Sequence, residues 1–206
     1  YQCGRCDTPG CRPYAKEIAE GSPFNRCVPG GKETLDKLQA ITKRSPLTLD
    51  DDYGPALSPQ IAYIVEDECI GCKKCIDACP VDAIVGSANL MHGVISELCT
   101  GCELCIPACP VDCISLDSVS GERTGWDAWS QQQADDALQR YTARAQRLAH
   151  EAAENDARLA AKAQAKLADL PSASQITDPV VLDDKRARIE AAIARAQAAK
   201  AAGPKT

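Results

Sequence analysis

Residues 69–80 read CIGCKKCIDACP and residues 99–110 read CTGCELCIPACP. Each stretch sets four cysteines at C-x2-C-x2-C-x3-C and follows the fourth with a proline, Pro80 or Pro110. The match continues at a constant offset of 30 residues: Gly71 maps to Gly101, Ile76 to Ile106, Ala78 to Ala108, Val81 to Val111, Asp82 to Asp112 and Ile84 to Ile114. A short apolar run precedes each motif, Ile61–Val65 or Met91–Ile95, and another follows it, Ala83–Val85 or Cys113–Ser115. Runs of this kind bounded by turn residues read as strands. The repeat therefore predicts two pseudo-symmetric halves over 61–118, each a strand, a cysteine loop, a short helix and a returning strand.

Tight thiolate spacing of this type suits a cofactor that needs four sulfurs around one compact core. The C-x2-C-x2-C-x3-C-P run is that of bacterial two-cluster ferredoxins, in which the fourth cysteine ligates the other cluster. One loop wraps one side of a [4Fe-4S] cluster, and the short helix after its third cysteine carries the fourth toward the neighbour. This assigns Cys69, Cys72, Cys75 and Cys109 to one cluster and Cys79, Cys99, Cys102 and Cys105 to the other. Structural zinc sites also use paired C-x2-C steps, but they require neither the third and fourth cysteines nor the proline, twice in register. A further group, Cys3, Cys6, Cys11 and Cys27, reads C-x2-C-x4-C-x15-C. Spacing alone leaves this group open between iron–sulfur and zinc. Cys113 is the thirteenth cysteine. It aligns with Ala83 and reads as a small buried hydrophobe rather than a ligand. His92 and His150 have no partner pattern around them and read as structural or exposed. Lys73 and Lys74 read as a docking point or as a solvated pair.

Composition supports a metal-stapled protein. Aromatic residues make up 4% of the 206 residues, too few for one large core, and small cores generally need metals or crosslinks. The net charge of -6 is concentrated: residues 61–118 carry nine acidic side chains against Lys73 and Lys74, whereas residues 1–60 balance and residues 119–206 are near neutral. An acidic cysteine-rich segment argues against nucleic acid, which needs a basic footprint, and suits docking on basic patches of redox partners. The cysteine pattern points to a reducing compartment. No secretory signal and no run of about 18 apolar residues is present. No nucleophile–base pair, phosphate-binding glycine loop or dinucleotide fingerprint appears, so neither a flavin nor a nicotinamide site is expected. The expected chemistry is one-electron transfer without a catalytic residue.

Outside the repeat, Leu35, Leu38 and Ile41 predict a helix over Gly31–Thr42. Residues 45–60 hold three prolines, Gly54 and Asp50–Asp52 and read as a linker. Residues 126–169 lack proline and glycine. Ala134, Leu138, Tyr141, Ala145, Leu148, Ala152 and Leu159 there predict a long amphipathic helix. A break is expected over Leu170–Pro179, then a second helix with Leu182, Ile189, Ala192, Ile193 and Ala196 on one side, ended by Gly203–Pro204. The expected class is α+β: an N-terminal iron–sulfur module over 1–44, a linker over 45–60, a two-[4Fe-4S] ferredoxin-like domain over 61–118, and an α-helical C-terminal extension over 119–206.

Cys3-Gly4-Arg5-Cys6, Pro9-Gly10-Cys11-Arg12-Pro13-Tyr14-Ala15 and Asn25-Arg26-Cys27-Val28-Pro29-Gly30-Gly31 resemble the iron–sulfur module of the B subunit of the Rnf complex, also called Rsx. The stretch from Cys69 to Gly86, and Met91-His92 ahead of the second motif, are similar to the ferredoxin domain of the same protein. The resemblance covers roughly residues 1–118. It implies a complex that couples electron flow between ferredoxin and NAD to sodium or proton movement across a membrane. The B subunit of that family is an electron-transfer protein. It exchanges electrons with soluble ferredoxin or flavodoxin and relays them to or from membrane and flavin-bearing subunits. Carried over, Cys3, Cys6, Cys11 and Cys27 hold a third [4Fe-4S] cluster nearest the membrane, and the other two clusters face the cytoplasm. The implied location is the cytoplasmic face of the bacterial inner membrane, reached through partner subunits or an anchor upstream of Tyr1. Competing expectations are a free-standing multi-cluster ferredoxin serving soluble enzymes, a relay that keeps a redox-sensing transcription factor reduced, and a sensor or scaffold with structural clusters.

Overall fold

The strands that flank the two cysteine motifs pair across the halves rather than within them. In the computed structural model, which describes residues 1–56, 58–170, 172 and 176–201, β1 (Gln60–Ile64) opens the first half and β4 (Ile114–Ser118) closes the second. The two are antiparallel, in register from Gln60↔Ser118 to Ile64↔Ile114. β2 (Ile84–Val85) likewise pairs with β3 (Gly93–Val94). Along β1, Ala62 and Ile64 are buried while Tyr63 points to solvent, the period-2 pattern of a half-buried strand. With Val81, Ala83, Ile84 and Ile114 they form a core that also takes in Cys75, Cys79, Cys105 and Cys113. The core is small and rich in sulfur.

Ahead of the repeat, the N-terminal segment contains α1 (Cys11–Ala19) and α2 (Gly31–Thr42). The latter has the bounds that the leucine spacing predicts. The former has no counterpart among the expected elements. It buries Tyr14 and Ile18, one turn apart, against Phe24, Leu35 and Cys6.

Residues 30 apart in the repeat share unusual backbone angles. Gly71 and Gly101 have φ of 69° and 64°, Lys73 and Glu103 of 66° and 63°, and Asp82 and Asp112 of 52° each. One expected element differs between the halves. The first motif forms a short helix, α3 (Lys74–Ala78), in which the Asp77 N–H donates to the Lys73 carbonyl, 3.1 Å. The second motif makes only turns, with Ile106 N–H to Glu103 and Cys109 N–H to Ile106. Pro107 stands where Asp77 stands in the first half. It lacks the N–H for that bond, and its ring crowds the carbonyl four residues back.

The predicted long helix over 126–169 is divided into α4 (Gly125–Ala128) and α5 (Gln131–Ala168). Ser130 and Gln133 explain the division. Ser130 N–H donates to Gln133 Oε1 at 2.9 Å, and Gln133 N–H donates to Ser130 Oγ at 3.2 Å. This reciprocal capping box fixes a new helix start. The remaining helix is α6 (Pro179–Ala201).

The chain divides into two compact units, Tyr1–Ala145 and Gln146–Thr206. Within the first, residues 131–145 of α5 lie on the cysteine-rich core. The covered stripe is Ala137, Arg140, Tyr141 and Arg144; it shares Tyr141 with the predicted stripe but not its leucines, since Leu138, Leu148 and Leu159 are exposed. Hydrogen bonds select this face. Arg140 donates to the carbonyls of Val81 (2.8 Å) and Asp82 (3.0 Å). Arg144 pairs with Asp82 and donates to the Asp77 carbonyl, and Tyr141 donates to the Pro9 carbonyl at 2.6 Å.

In the second unit the helical surface carries i,i+4 pairs such as Arg147–Glu151 and Arg188–Asp184, each worth a few tenths of a kcal/mol. His150 is exposed there beside Glu154. Leu182, Ile189 and Ile193 are half-buried and Ala192 is exposed. Pro171 and residues 173–175 of the expected break, the side chain of Ala196 and the Gly203–Pro204 stop lie outside the described residues. Among the described residues no helix is long and apolar enough to cross a membrane.

Candidate functional site

Three cavities in the first unit are each lined by one of the expected sets of four cysteines. Cavity A is lined by Cys69, Cys72, Cys75 and Cys109, together with Ile64, His92, Cys113 and Ile114. Cavity B is lined by Cys79, Cys99, Cys102 and Cys105, with Ala62, Val81, Ala83 and Leu116. Cys79 and Cys109 have thus each crossed to the other half's loop. The crossing follows from the strand pairing: each motif ends in a strand that returns beside the other motif, and its fourth cysteine lies at the start of that return. Cavity N is lined by Cys3, Cys6, Cys11 and Cys27, with Tyr1, Tyr14, Arg26 and Pro29.

Local structure delivers the distant fourth cysteine to cavity N. The Gln2 side-chain carbonyl accepts from the N–H of Cys11 at 3.0 Å, folding the first loop over the start of α1. Tyr14, one turn along α1, donates its hydroxyl to the Pro23 carbonyl and accepts from the Arg26 N–H at 2.9 Å. Arg26 is held again by Glu17. The chain is therefore pinned one residue before Cys27, which opens the Val28–Gly30 turn.

The thiols are chemically suited to a metal cofactor. None of the thirteen cysteines is in a disulfide. Burial, reinforced by neighbouring cysteines, pushes the thiols of Cys27 and Cys105 up to about 12 and that of Cys102 up to about 11; Cys3 and Cys75 are raised for the same leading reason. Buried sulfurs without a cation are costly as thiolates, and a coordinating metal removes that cost. Among the described residues no three His, Cys, Asp or Glu side chains converge closely enough to share a single ion. Each set instead rings a small cavity of its own, of about 10 to 30 Å³. Backbone donors already point at sulfur: Ala62 N–H to Cys99 at 3.4 Å and Ala83 N–H to Cys79 at 3.2 Å. At Cys109 burial raises the thiol, but N–H groups of Val111, Cys113 and Asp112 and the Cys113 thiol outweigh it and carry the value below the ordinary one.

Cavities A and N each include one exposed cysteine, Cys72 and Cys11, whereas every cysteine of cavity B is buried or half-buried. The loop of cavity B is also the one that the N-terminal module touches, through the Arg5–Glu103 ion pair and the packing of Tyr1 and Pro29 near Thr100 and Gly101.

Residues 1–29 match the family model described as a putative Fe-S cluster, and residues 62–116 match the 4Fe-4S dicluster domain. Over 130 residues the chain is 55% identical to the B subunit of the ion-translocating oxidoreductase complex of Pseudomonas aeruginosa, a match covering 63% of this chain and 68% of the relative. The chain belongs to this B-subunit family. The corresponding protein of Alcanivorax borkumensis is 61% identical over 126 residues, covering 61% of the chain and 65% of the relative. That of Hahella chejuensis is 54% identical over 94 residues, 46% and 48% respectively. The chain thus spans less than two thirds of those two relatives and about half of the second.

Two residues of this B-subunit chain have surroundings at cavity A that spacing does not reveal. His92 is buried, with Nδ1 3.3 Å from Cys75 Sγ; in the sequence only the Met91-His92 resemblance points to it. Cys113 is buried, as a packing role requires, but its sulfur also lies 3.5 Å from Cys109 Sγ on the cavity wall. Ala83, its counterpart at the offset of 30, serves cavity B with a methyl group. Cys113→Ala is therefore expected to leave iron content unchanged on anaerobic purification. Loss of about four irons per chain, one cluster's worth, would make Cys113 a ligand.

Proposed function

We propose that this chain is the electron-transfer iron–sulfur subunit of a membrane-bound, ion-translocating ferredoxin:NAD oxidoreductase. It holds three [4Fe-4S] clusters, ligated by Cys69, Cys72, Cys75 and Cys109, by Cys79, Cys99, Cys102 and Cys105, and by Cys3, Cys6, Cys11 and Cys27. Such clusters take up and release single electrons at potentials set by burial and hydrogen bonds to sulfur. The working parts are a module over 1–44, a linker over 45–60, a pseudo-twofold two-cluster domain over 61–118 and a helical extension over 119–206.

The observation that carries the reading is the arrangement of three four-cysteine cavities: B, whose cysteines are all buried or half-buried and whose loop also touches the module that contains N, and A and N, each of which includes one exposed cysteine. A structural staple needs no such series. The protein residues bind the cofactors and keep the three sites in one compact unit. Ile70 of the cavity A lining is exposed, as are Leu90, whose backbone lies against Gly71, and Met91, which precedes His92, and this rim is the face we assign to the soluble carrier, ferredoxin or flavodoxin. Cavity N then faces the other subunits at the cytoplasmic side of the inner membrane, with attachment through those subunits or an upstream anchor. A free-standing ferredoxin, or a relay keeping a redox-sensing transcription factor reduced, is the alternative.

Iron and acid-labile sulfide, measured on protein prepared without oxygen, test the cofactor assignment. About twelve of each per chain are expected, four for each of three clusters. About eight, with zinc or nothing at Cys3–Cys27, would leave a two-cluster ferredoxin with a structural appendage. Co-purification with membrane subunits separates the complex-bound reading from the free-standing one.

A further inference from the structure

The two halves of the repeat are not equivalent around their cavities. Seven residues before each motif stand Ala62 and His92, 30 apart. Through the strand crossing, Ala62 lines cavity B and His92 lines cavity A. Ala62 contributes a methyl group and a backbone N–H to Cys99. His92 contributes an imidazole that is 3% exposed and sits 3.3 Å from Cys75 Sγ. The other ring nitrogen, Nε2, is buried without a hydrogen-bond partner. A buried polar atom left unpaired costs about 1–3 kcal/mol, so packing alone would favour an apolar residue here. The site is also shaped for the ring: a Cβ on Gly86 would stand 2.4 Å from His92 Cδ2.

We propose that His92 donates Nδ1–H to the Cys75 sulfur and selectively raises the reduction potential of the cluster in cavity A. A metal-bound thiolate has no proton to give, so the sulfur accepts and the hydrogen resides on Nδ1, leaving Nε2 as the bare acceptor. One-electron reduction adds negative charge that is shared by the ligand sulfurs. A fixed N–H dipole on one of them stabilises the reduced state more than the oxidised one. Hydrogen bonds to sulfur are among the determinants of cluster potential. His92 acts on the cluster through Cys75, and cavity B has no equivalent side chain at the matching position. The inference rests on cavity A holding a [4Fe-4S] cluster.

The test is an anaerobic potentiometric titration of the full chain followed by electron paramagnetic resonance. His92→Phe keeps a ring and removes the donor; His92→Asn keeps an N–H near the position of Nδ1. With iron and sulfide unchanged, His92→Phe should move one of the dicluster steps to lower potential. The expected size is a tenfold or larger change in its oxidised-to-reduced ratio, 59 mV for one electron. The other two steps should hold, and His92→Asn should restore most of the shift. No movement, an equal movement of all steps, or an Asn variant as displaced as Phe overturns the proposal. Iron well short of about eight per chain in the unaltered protein would instead sink the two-cluster reading on which the inference rests.

A second measurement needs no variant at that position. The chain has two histidines, and His150 is exposed beside Glu154 in the second unit. With His150→Gln and 15N-histidine, the reduced protein should show nitrogen hyperfine coupling to one cluster. Its absence also overturns the proposal.

Discussion

Cys27→Ala is expected to lower iron and sulfide by one third, from about twelve to about eight per chain, while the two-cluster domain keeps its absorption and its reduction steps. The expectation rests on separate cores. The N-terminal segment packs Cys6, Tyr14, Ile18, Phe24 and Leu35 together; the repeat packs an independent set around Ile64, Val81 and Ile114. The contacts between them include the Arg5–Glu103 ion pair, one hydrogen bond from Tyr141 and the stacking of Tyr1 on Trp129 at 5.0 Å. Arg5 and Glu103 are 21% and 33% exposed, and pairs of this kind are worth about 0–1 kcal/mol. Losing the cluster of cavity N should therefore loosen residues 1–44 without dismantling the rest. A five-residue core is too small to stand alone, so tryptic cleavage within α1 and α2 should accelerate while 61–118 stays protected. Loss of all iron in this variant would show that the module and the repeat assemble only together.

The two repeated cysteine sets were legible because their short gaps recur in register, and gaps are what a sequence displays; Cys3, Cys6, Cys11 and Cys27, with a gap of 15 before the last, depended on the resemblance. Helix α2 was legible because Leu35, Leu38 and Ile41 recur at its period. Helix α1 was not, since two buried residues in a polar stretch give almost no periodic signal. The turn at Glu103–Ala108 and the break at Trp129–Ser130 had local causes written in the sequence, Pro107 and the Ser130–Gln133 capping pair; periodicity overrode both. The covered face of α5 keeps Tyr141 of the predicted stripe but not its leucines, because guanidinium groups decide the rest. Arg140 and Arg144 find carbonyls and a carboxylate on the turn after Cys79, and those bonds choose the face. His92 depends on the strand crossing, which no spacing within a single motif reveals.

The same crossing accounts for the second large effect, expected for Gly101→Ala. Gly101 has φ of +64° and lies against β1; a Cβ there would stand 2.4 Å from the Gln60 carbonyl oxygen. Two costs add. A left-handed conformation costs a non-glycine residue roughly 1–2 kcal/mol, and a backbone oxygen cannot swing aside as a side chain can, so β1 must retreat. That retreat pulls Ala62 N–H from Cys99 Sγ and opens cavity B. Gly121→Ala separates the costs, because Gly121 has φ of +61° and nothing within 4 Å of its ideal Cβ. The control should lose about 1 kcal/mol, a melting shift of about 2–4 °C. Gly101→Ala should lose at least twice that and release the iron of cavity B first, read as loss of one dicluster reduction step during mild warming under argon. Equal shifts in the two variants would mean that β1 yields freely at Gln60. The contact between the second cysteine loop and the first strand would then not be what holds the two halves in register.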